Sequence, residues 1–482
     1  MSRSGFHFFK FKVMSAYKLS YYLVVSEIIE ENTANADHST RLIFASRSSS
    51  LLTIKEKHYK QLQAGDFETL PEALLSELKR TKTIVDADEN ELQVLVNENK
   101  DVIKQSTNLH YVIMPSAYCQ LGCDYCGQEH AKAQLSNKAM DAAESRIEHL
   151  LKTGKFQSLE IHWFGAEPLV GINQIRVLAP RLIALAERYN CRYWSKIVTN
   201  GLALKESIYE ELVHQYQVKS IEITLDGTAE FHDTRRYTKS KDKTFDIIFN
   251  NILKITARPE YSNETRIVIR CNADERNVEG VVPLIELLAA HNLQQKIFFY
   301  IAPVYSWGND AHLKTPVNDF ALHEIDWYLA MHKHKFPVSA LPGRVYSVCT
   351  SVMPHDELMD SYGNIYNCTE VPMVPAYDDG RYQIGHVSEG DDKLDKKPKP
   401  FLDWNDLVLN KDKRIWCWGC KIFPVCGGRC PKNWMENIPP CPVMKFNMED
   451  RMALTYYLFK EQLTNLEDTD SLPETTAPVL NE

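Results

Sequence analysis

The pattern of apolar and polar positions divides the chain into three regions. The first has strand-like apolar runs, YYLVVSE (21–27) and RLIFAS (41–46), joined by a polar stretch. Helical periodicity follows in IKEKHYKQLQ (54–63), LPEALLSELKR (70–80) and TIVDADENELQVLVNENKDVI (83–103). This order predicts a small α+β module over residues 1–105.

In the second region, residues 106–332, strand-like runs alternate with amphipathic helical segments. The predicted strands are LHYVIMPS (109–116), SLEIHWFG (158–165), KIVTNG (196–201), KSIEITLDG (219–227), TRIVIRCNAD (265–274) and KIFFYIAPV (296–304). Alternation of β and α units predicts a parallel sheet with crossover helices. Six units are fewer than the usual eight of a closed barrel, so the fold class is α/β, with an open, partial (β/α)6 TIM-like barrel.

The third region, residues 333–450, is irregular and rich in Cys, Gly, Pro and Trp. It has too little regular structure to fold on packing alone, which favours organisation by metal sites. Residues 451–482 are predicted to form a terminal helix and a disordered acidic tail.

Composition narrows the class of protein. The chain has 482 residues and a net charge of −9 without a long basic block, which argues against nucleic acid as a main partner. The sequence has no run of about eighteen apolar residues, so it predicts no transmembrane helix. The basic, aromatic N-terminus lacks the apolar core of a signal peptide, and either Met1 or Met14 is a candidate start. We therefore expect a cytoplasmic protein.

In the cytoplasm thiols stay reduced, so the twelve cysteines indicate metal ligands rather than disulfides. Three of them occupy eight positions at Cys119, Cys123 and Cys126, and seven more lie between 349 and 441. The remaining two, Cys191 and Cys271, sit in or beside apolar runs and are predicted to be buried core residues.

Three thiolates on a 4Fe–4S cluster leave one iron open for the amino and carboxylate groups of S-adenosylmethionine (AdoMet). The spacing C-x3-C-x2-C, with an aromatic residue before the last cysteine, resembles the radical AdoMet superfamily. The alternative is a zinc site or a chance cluster. Other motifs at predicted strand ends strengthen the resemblance: WFGAEPL (163–169), VTNG (198–201), ITLDG (223–227), HDTRR (232–236) and IRCNAD (269–274).

The resemblance implies that the cofactor-binding residues are Tyr125, Gly165, Glu167, Thr199, Asn200, Thr224, Asp226, Arg236 and Arg270. Ala166 stands where the superfamily has a second glycine. The activity implied is reductive cleavage of AdoMet to a 5′-deoxyadenosyl radical.

The later cysteines resemble the SPASM extension of peptide-modifying radical enzymes, which normally houses two auxiliary 4Fe–4S clusters. The resemblance implies one cluster on Cys417, Cys420, Cys426 and Cys441, and another on Cys349, Cys368 and Cys430, so that the protein holds three clusters in total. Seven cysteines cannot complete two four-cysteine sites. The second cluster is therefore expected to keep an open iron or to take another ligand, with His355 as one candidate and Asp356 or Glu370 as others.

The N-terminal module resembles the leader-recognition regions of peptide maturases, although a packing or dimerisation role is the alternative.

The whole pattern implies an enzyme that forms a thioether or carbon–carbon crosslink on a ribosomally made peptide precursor, with an external one-electron reductant such as flavodoxin or ferredoxin. The first alternative is an anaerobic sulfatase-maturating enzyme. Those enzymes carry an Asp directly after the second SPASM cysteine, where this chain has Thr369 and then Glu370, the candidate base. The second alternative is a non-catalytic iron–sulfur scaffold.

Overall fold

The computed structural model describes residues 15–152, 155–259, 261, 265–304 and 317–467. Its first part is the predicted α+β module. The strands are β1 Tyr17–Leu19, β2 Leu23–Glu30, β3 Thr40–Ala45, β4 Ser50–Lys55 and β5 Ile84–Asp86; the helices are α1 Glu56–Ala64, α2 Glu72–Arg80 and α3 Glu91–Gln105. Strands β2, β3 and β4 form an antiparallel sheet in that order, and β1 pairs with β5.

The two predicted strands of this module are confirmed, but two helical predictions need correction. The segment 83–103 begins with strand β5 rather than with a helix, and helix α3 starts only at Glu91, where Asn90 accepts a hydrogen bond from the Gln93 backbone amide. The segment 54–63 begins in β4, because Ile54 pairs with Arg41. Each run mixes an apolar strand with the first turns of a helix, which sequence periodicity did not separate.

The second part is the partial barrel. Its strands are β6 Asn108–Ile113, β7 Ser158–Trp163, β8 Arg192–Thr199, β9 Val218–Thr224, β10 Arg266–Ala273 and β11 Ile297–Pro303. Its helices are α4 Asn137–Leu151, α5 Ile172–Arg188, α6 Glu206–Glu210, α7 Ala229–Arg235, α8 Phe245–Thr256, α9 Val281–Ala290 and α10 Val317–Lys333. The six strands are parallel and lie side by side in chain order, as predicted.

The alternation of side chains explains the position of the core. On β6, Leu109, Tyr111 and Ile113 are fully buried against the helices. Their neighbours His110 and Val112 lie on the other face of the sheet. Cys191 and Cys271 belong to the same core, which confirms that they are buried.

The third part has short strands β12 Glu357–Met359, β13 Asn364–Tyr366 and β14 Gly385–His386. Its helices are α11 Asp391–Leu394, α12 Trp404–Leu409, α13 Phe423–Cys426, α14 Pro431–Met435 and α15 Met448–Glu467. Strand β12 pairs in parallel with β6, and β13 and β14 follow, so the barrel sheet has nine strands. The sequence did not predict this extension. A buried ion pair of 2.6 Å between Arg146 of α4 and Glu357 of β12 connects the added strand to the barrel.

The N-terminal module packs against this third part. Tyr22 and Leu95 share an apolar cluster with Trp404 and Trp434. Helix α15 lies against β2, and its Tyr457 hydroxyl donates to the Ile29 carbonyl at 3.1 Å. The terminal helix was predicted, whereas the predicted disordered tail from residue 468 lies outside the described residues.

One helical segment among the described residues, Pro168–Arg188, is long and apolar enough to cross a membrane by length and composition. It contains α5, whose Ile175, Leu178 and Leu182 are fully buried against the sheet. This is the packing of a core helix, so the segment is weak support for a membrane span.

Candidate functional site

A cavity of about 530 Å³ lies at the carboxyl ends of the barrel strands, between the barrel and the third part of the chain. Residues that follow parallel strands meet at one edge of a sheet, which is why motifs far apart in sequence converge here. The residues predicted to bind the cofactor that line the cavity are Tyr125, Gly165, Glu167, Thr199, Asn200, Thr224, Arg236 and Arg270. The predicted Asp226 lies behind Tyr125 and is fully buried.

The three cysteines of the first motif lie in the loop after β6, and all three line this cavity. The amide of Asn200 donates to the Cys119 sulfur at 3.5 Å, and the Leu121 backbone amide donates to the same sulfur at 3.4 Å. Burial raises the pKa of Cys119 to about 12 and that of Cys123 to about 11. Without a metal these thiols are therefore neutral at pH 7, and only a bound cation would stabilise the thiolates together.

Glu167 joins the ends of β7 and β8. Its buried carboxylate accepts hydrogen bonds from the Leu169 backbone N–H at 2.9 Å, the Thr199 hydroxyl at 2.7 Å and the Asn200 backbone N–H at 2.7 Å. Burial raises the pKa of this carboxyl, while the hydrogen bonds oppose the rise. Gly165 before it has φ +107°, and a Cβ there would come within 2.9 Å of Met114, so glycine is required at this turn.

A second polar group centres on the Tyr125 hydroxyl. This hydroxyl donates to Asp226 at 2.6 Å and accepts from Arg236 at 2.5 Å and from the Asn272 amide at 3.3 Å. Arg235 lies over the Tyr125 ring at 4.9 Å. The sequence reasoning did not single out Asn272 or Arg235, although both belong to the quoted motifs HDTRR and IRCNAD.

Arg270 extends this group towards the centre of the cavity. Its Nε donates to the Asn272 side-chain oxygen at 2.7 Å, and its side chain is 37% exposed. Its Nη1 lies 3.8 Å from the Glu222 carboxylate, and both residues line the cavity. A guanidinium group has further donors, which are suited to a second carboxylate.

The cysteines Cys349, Cys368 and Cys430, which belong to the third part of the chain, line the same cavity. Glu370 and Lys432 lie beside them. Burial and the nearby Glu370 carboxylate raise the pKa of Cys368. Burial also raises the pKa values of Cys349 and Cys430, and the same carboxylate adds to the rise. Burial also raises the pKa of Glu370 itself.

The structure corrects two candidate ligands of this set, His355 and Asp356. His355 does not line the cavity: it lies in a separate one with Lys100, Lys104 and Lys155, and its ring packs edge-on against Phe156 at 5.4 Å. Phe156 precedes β7, so His355 is at the amino end of the barrel, opposite to the cysteines. Asp356 is also turned away, since it accepts from the His110 backbone amide at 3.3 Å.

The remaining four cysteines, Cys417, Cys420, Cys426 and Cys441, line a different and smaller cavity. The glycine pair between Cys426 and Cys430 shapes its wall. Gly427 and Gly428 have φ of +62° and +86°, and their carbonyls accept from the indole nitrogens of Trp404 and Trp434 at 2.9 and 2.8 Å. The structure thus separates the seven later cysteines into the two sets that the resemblance implied.

Within the described ranges, no three His, Cys, Asp or Glu side chains are close enough to hold a single metal ion. A cluster is larger than an ion and holds its thiolate ligands further apart. All twelve cysteines are free of disulfides, and ten face the two cavities in sets of three, three and four. Cysteine thiols are the ligands that hold iron–sulfur clusters, and the thiols of Cys119, Cys123 and Cys126 on the larger cavity fit such a group.

Comparison with known proteins supports this interpretation. Residues 113–280 match the model of the radical SAM superfamily. An uncharacterized protein of Synechocystis sp. is 29% identical over 166 residues, which cover 31% of this chain and 40% of that relative. A cysteine-type anaerobic sulfatase-maturating enzyme of Clostridium novyi is 24% identical over 362 residues, which cover 69% of this chain and 90% of the enzyme.

Among solved structures, native anSMEcpe with bound AdoMet and Cp18Cys peptide matches with a TM-score of 0.53 and 15% identity. The match covers 75% of this chain and 99% of that one. At this identity the likeness supports the fold alone.

Residues 113–280 therefore resemble a radical SAM domain, and the predicted resemblance of the chain to radical SAM enzymes of the maturase type is confirmed. Such a domain implies one 4Fe–4S cluster and AdoMet. The loop of Cys119, Cys123 and Cys126, with its thiols on the cavity, fits that group. The roles of the individual site residues, the limits of the domains and the auxiliary clusters stay predictions.

Proposed function

We propose that this protein is a radical SAM maturase that oxidatively modifies a peptide side chain. The observation that supports it best is the shared cavity, since Cys119, Cys123 and Cys126 form one wall and Cys349, Cys368 and Cys430 another. A peptide side chain bound in this cavity would share it with both cysteine sets.

The bound cluster and AdoMet would supply a 5′-deoxyadenosyl radical for hydrogen-atom abstraction. The protein's own residues position the reactants. The network of Tyr125, Asp226, Arg236 and Asn272 fixes the cavity wall beside the cysteine loop, so little reorganisation is needed when the cofactor binds. Arg270 offers its guanidinium to a carboxylate.

Glu370 is our candidate base for the proton that the substrate loses. Its carboxyl lines the cavity next to Cys368, and the Thr369 hydroxyl donates to it at 3.2 Å. In this proposal Cys349, Cys368 and Cys430 hold one auxiliary cluster, and Cys417, Cys420, Cys426 and Cys441 hold a third cluster for electron transfer. An external one-electron reductant, such as flavodoxin or ferredoxin, supplies the electron for AdoMet cleavage.

The N-terminal module is our candidate for recognition of the leader of a ribosomally made precursor. Its sheet has β4 at one edge, and within the described part of the chain no strand pairs with the outer side of β4. A peptide can add to such an edge as a further strand. The reaction proposed on the core peptide is a thioether or carbon–carbon crosslink, in a cytoplasmic setting.

A sulfatase-maturating activity, in which a Cys or Ser is oxidised to formylglycine, is the second candidate. The relative in Clostridium novyi and the fold of anSMEcpe favour it. The sequence difference at Thr369 counts against it, although Glu370, one position later, places a carboxyl on the same cavity. The product of the reaction distinguishes the two functions.

The test is anaerobic reconstitution with iron and sulfide, followed by AdoMet and dithionite. We expect 5′-deoxyadenosine from the wild type and none from the Cys119→Ala/Cys123→Ala/Cys126→Ala variant, which should retain auxiliary iron. Equal AdoMet cleavage by that variant would refute the proposal, and a wild type without product would favour a non-catalytic scaffold. With candidate peptides, a mass loss of two hydrogens without an aldehyde indicates a crosslink, whereas a product that reacts as an aldehyde indicates formylglycine.

A further inference from the structure

Exposed aromatic side chains gather on the surface above the four-cysteine cavity. Tyr21, Trp416, Trp418 and Phe446, which we call the aromatic face, are 48%, 45%, 40% and 48% exposed. The Tyr21 hydroxyl donates to the Gly419 carbonyl at 2.6 Å, which ties the N-terminal module to this loop. Side chains of this size at the surface are typical of a binding site for another protein.

The aromatic face adjoins the cysteines directly. An open groove of about 550 Å³ is lined by Trp416, Cys420, Lys445 and Phe446. The smaller cavity of Cys417, Cys420, Cys426 and Cys441 shares Trp416, Cys420 and Lys445 with it. A partner seated in the groove would therefore contact the wall of the cysteine site.

Positive charge surrounds the aromatic face, although the whole chain carries −9. Lys411, Lys413, Lys421 and Lys445 are exposed. The Lys411 ammonium lies 5.5 Å from the centre of the Trp418 ring, and that of Lys445 lies 3.5 Å from the Cys441 sulfur. Asp412 is paired with Arg414 at 2.8 Å, and Glu91, which accepts from the Tyr21 backbone amide, is buried and paired with Arg47 at 3.1 Å. Glu449 and Asp450 are the carboxylates that line the groove itself.

We propose that the aromatic face docks a flavodoxin. An acidic carrier that presents the apolar edge of its flavin among carboxylates complements both the aromatic side chains and the lysines around them. The inference rests on the proposed function, because the carrier would supply the electron that the proposed cleavage of AdoMet needs. It adds to that function the surface at which the carrier binds.

The test measures binding of oxidised flavodoxin to the reconstituted enzyme by calorimetry at low ionic strength. For Lys411→Glu/Lys413→Glu we expect affinity weaker by about tenfold or more, and for the wild type an affinity that falls with added salt. The matched control is Lys393→Glu/Lys396→Glu, which reverses two exposed lysines at helix α11 and should bind as the wild type does.

Activity with dithionite, which reduces the enzyme without a protein carrier, distinguishes a failure of the docking proposal from a failure of the proposed function. Variants that make 5′-deoxyadenosine normally with dithionite but slowly with reduced flavodoxin support docking at the aromatic face. Unchanged flavodoxin affinity in Lys411→Glu/Lys413→Glu overturns the docking proposal, even when AdoMet is cleaved. Loss of peptide binding with flavodoxin binding intact also overturns it, because the face would then belong to the substrate.

Discussion

The Tyr125 hydroxyl donates a hydrogen bond of 2.6 Å to the Asp226 carboxylate and so connects the cysteine loop after β6 to the end of β9. The two residues are 101 positions apart in sequence. Arg236, directly after helix α7, and Asn272, near the end of β10, donate to the same hydroxyl, so one oxygen connects the cysteine loop to three later segments of the barrel. The position of the cysteine loop therefore depends on this hydroxyl.

We expect Tyr125→Phe to lower the free energy of unfolding by about 1–3 kcal/mol, because it leaves buried polar groups of Asp226 and Arg236 without this partner. AdoMet affinity should fall as well, since the loop loses its anchor. Denaturant unfolding and equilibrium dialysis measure the two effects. Tyr118→Phe in the same loop is the control, because its hydroxyl has no protein partner in the described part of the chain. Equal effects of the two variants would contradict the anchoring role.

The pH dependence of stability should report on His232. This buried ring accepts from the Asp226 backbone amide at 3.2 Å and contacts the Thr244 hydroxyl at 3.1 Å. Burial and the nearby Arg236 lower its pKa to about 3, Arg235 acts in the same direction, and only Asp233 opposes them. The unfolded chain, with a His pKa of about 6.5, therefore binds a proton that the folded protein excludes.

Stability contributed by the neutral ring is thus full above pH 6.5 and is lost as the pH falls towards 3. The expected loss is roughly 1 kcal/mol between pH 7 and pH 5.5. In urea titrations at several pH values, His232→Gln should show a flatter dependence over this range than the wild type. His214→Gln, at an exposed histidine, should leave the wild-type slope unchanged. An identical slope for His232→Gln would exclude this histidine as the titrating group.

Periodicity predicted the barrel because each strand is a local apolar run followed by its own helix. It did not predict β12, since three residues of irregular sequence become a strand only by pairing with β6 and through the ion pair of Glu357 with Arg146. Sequence proximity was misleading for His355. A short 3-10 turn, Thr350–Val352, and the bends at residues 353–355 direct His355 away from Cys349. The partition of the cysteines could be inferred because their spacing is itself the recurring motif.

The edge of the N-terminal sheet supplies another prediction. If β4 receives a leader peptide as an added strand, amides of Ser50–Lys55 should exchange more slowly with deuterium when a full-length precursor is added. Strand β2 at the other edge is the internal control, since Tyr457 and α15 already cover part of it. Uniform protection of both edges, or none, would leave the module with a packing role. Exchange is preferable to deletion, because removing Tyr22 and Leu95 would expose the apolar cluster around Trp404.

The last prediction concerns the cluster that we assign to Cys349, Cys368 and Cys430. Three thiolates cannot complete a four-ligand site, and neither Cys191 nor Cys271 can help, because both are buried in the barrel core. His355 and Asp356 are turned away from the cavity. Of the non-cysteine candidates, Glu370 remains, and its carboxylate is close enough to contribute to the raised pKa of all three thiols.

We therefore expect one auxiliary cluster to have an iron that is open or bound by Glu370, and the four-cysteine cluster to be fully thiolate-ligated. Electron paramagnetic resonance of the Cys119→Ala/Cys123→Ala/Cys126→Ala protein observes the auxiliary clusters alone. Cyanide or a thiol peptide should shift one signal and leave the other unchanged. Adding Glu370→Gln should alter the same signal if the carboxylate is a ligand, whereas His355→Ala should not, because that ring lies at the opposite end of the barrel. If neither signal changes with cyanide or with Glu370→Gln, the fourth ligand comes from elsewhere in the chain.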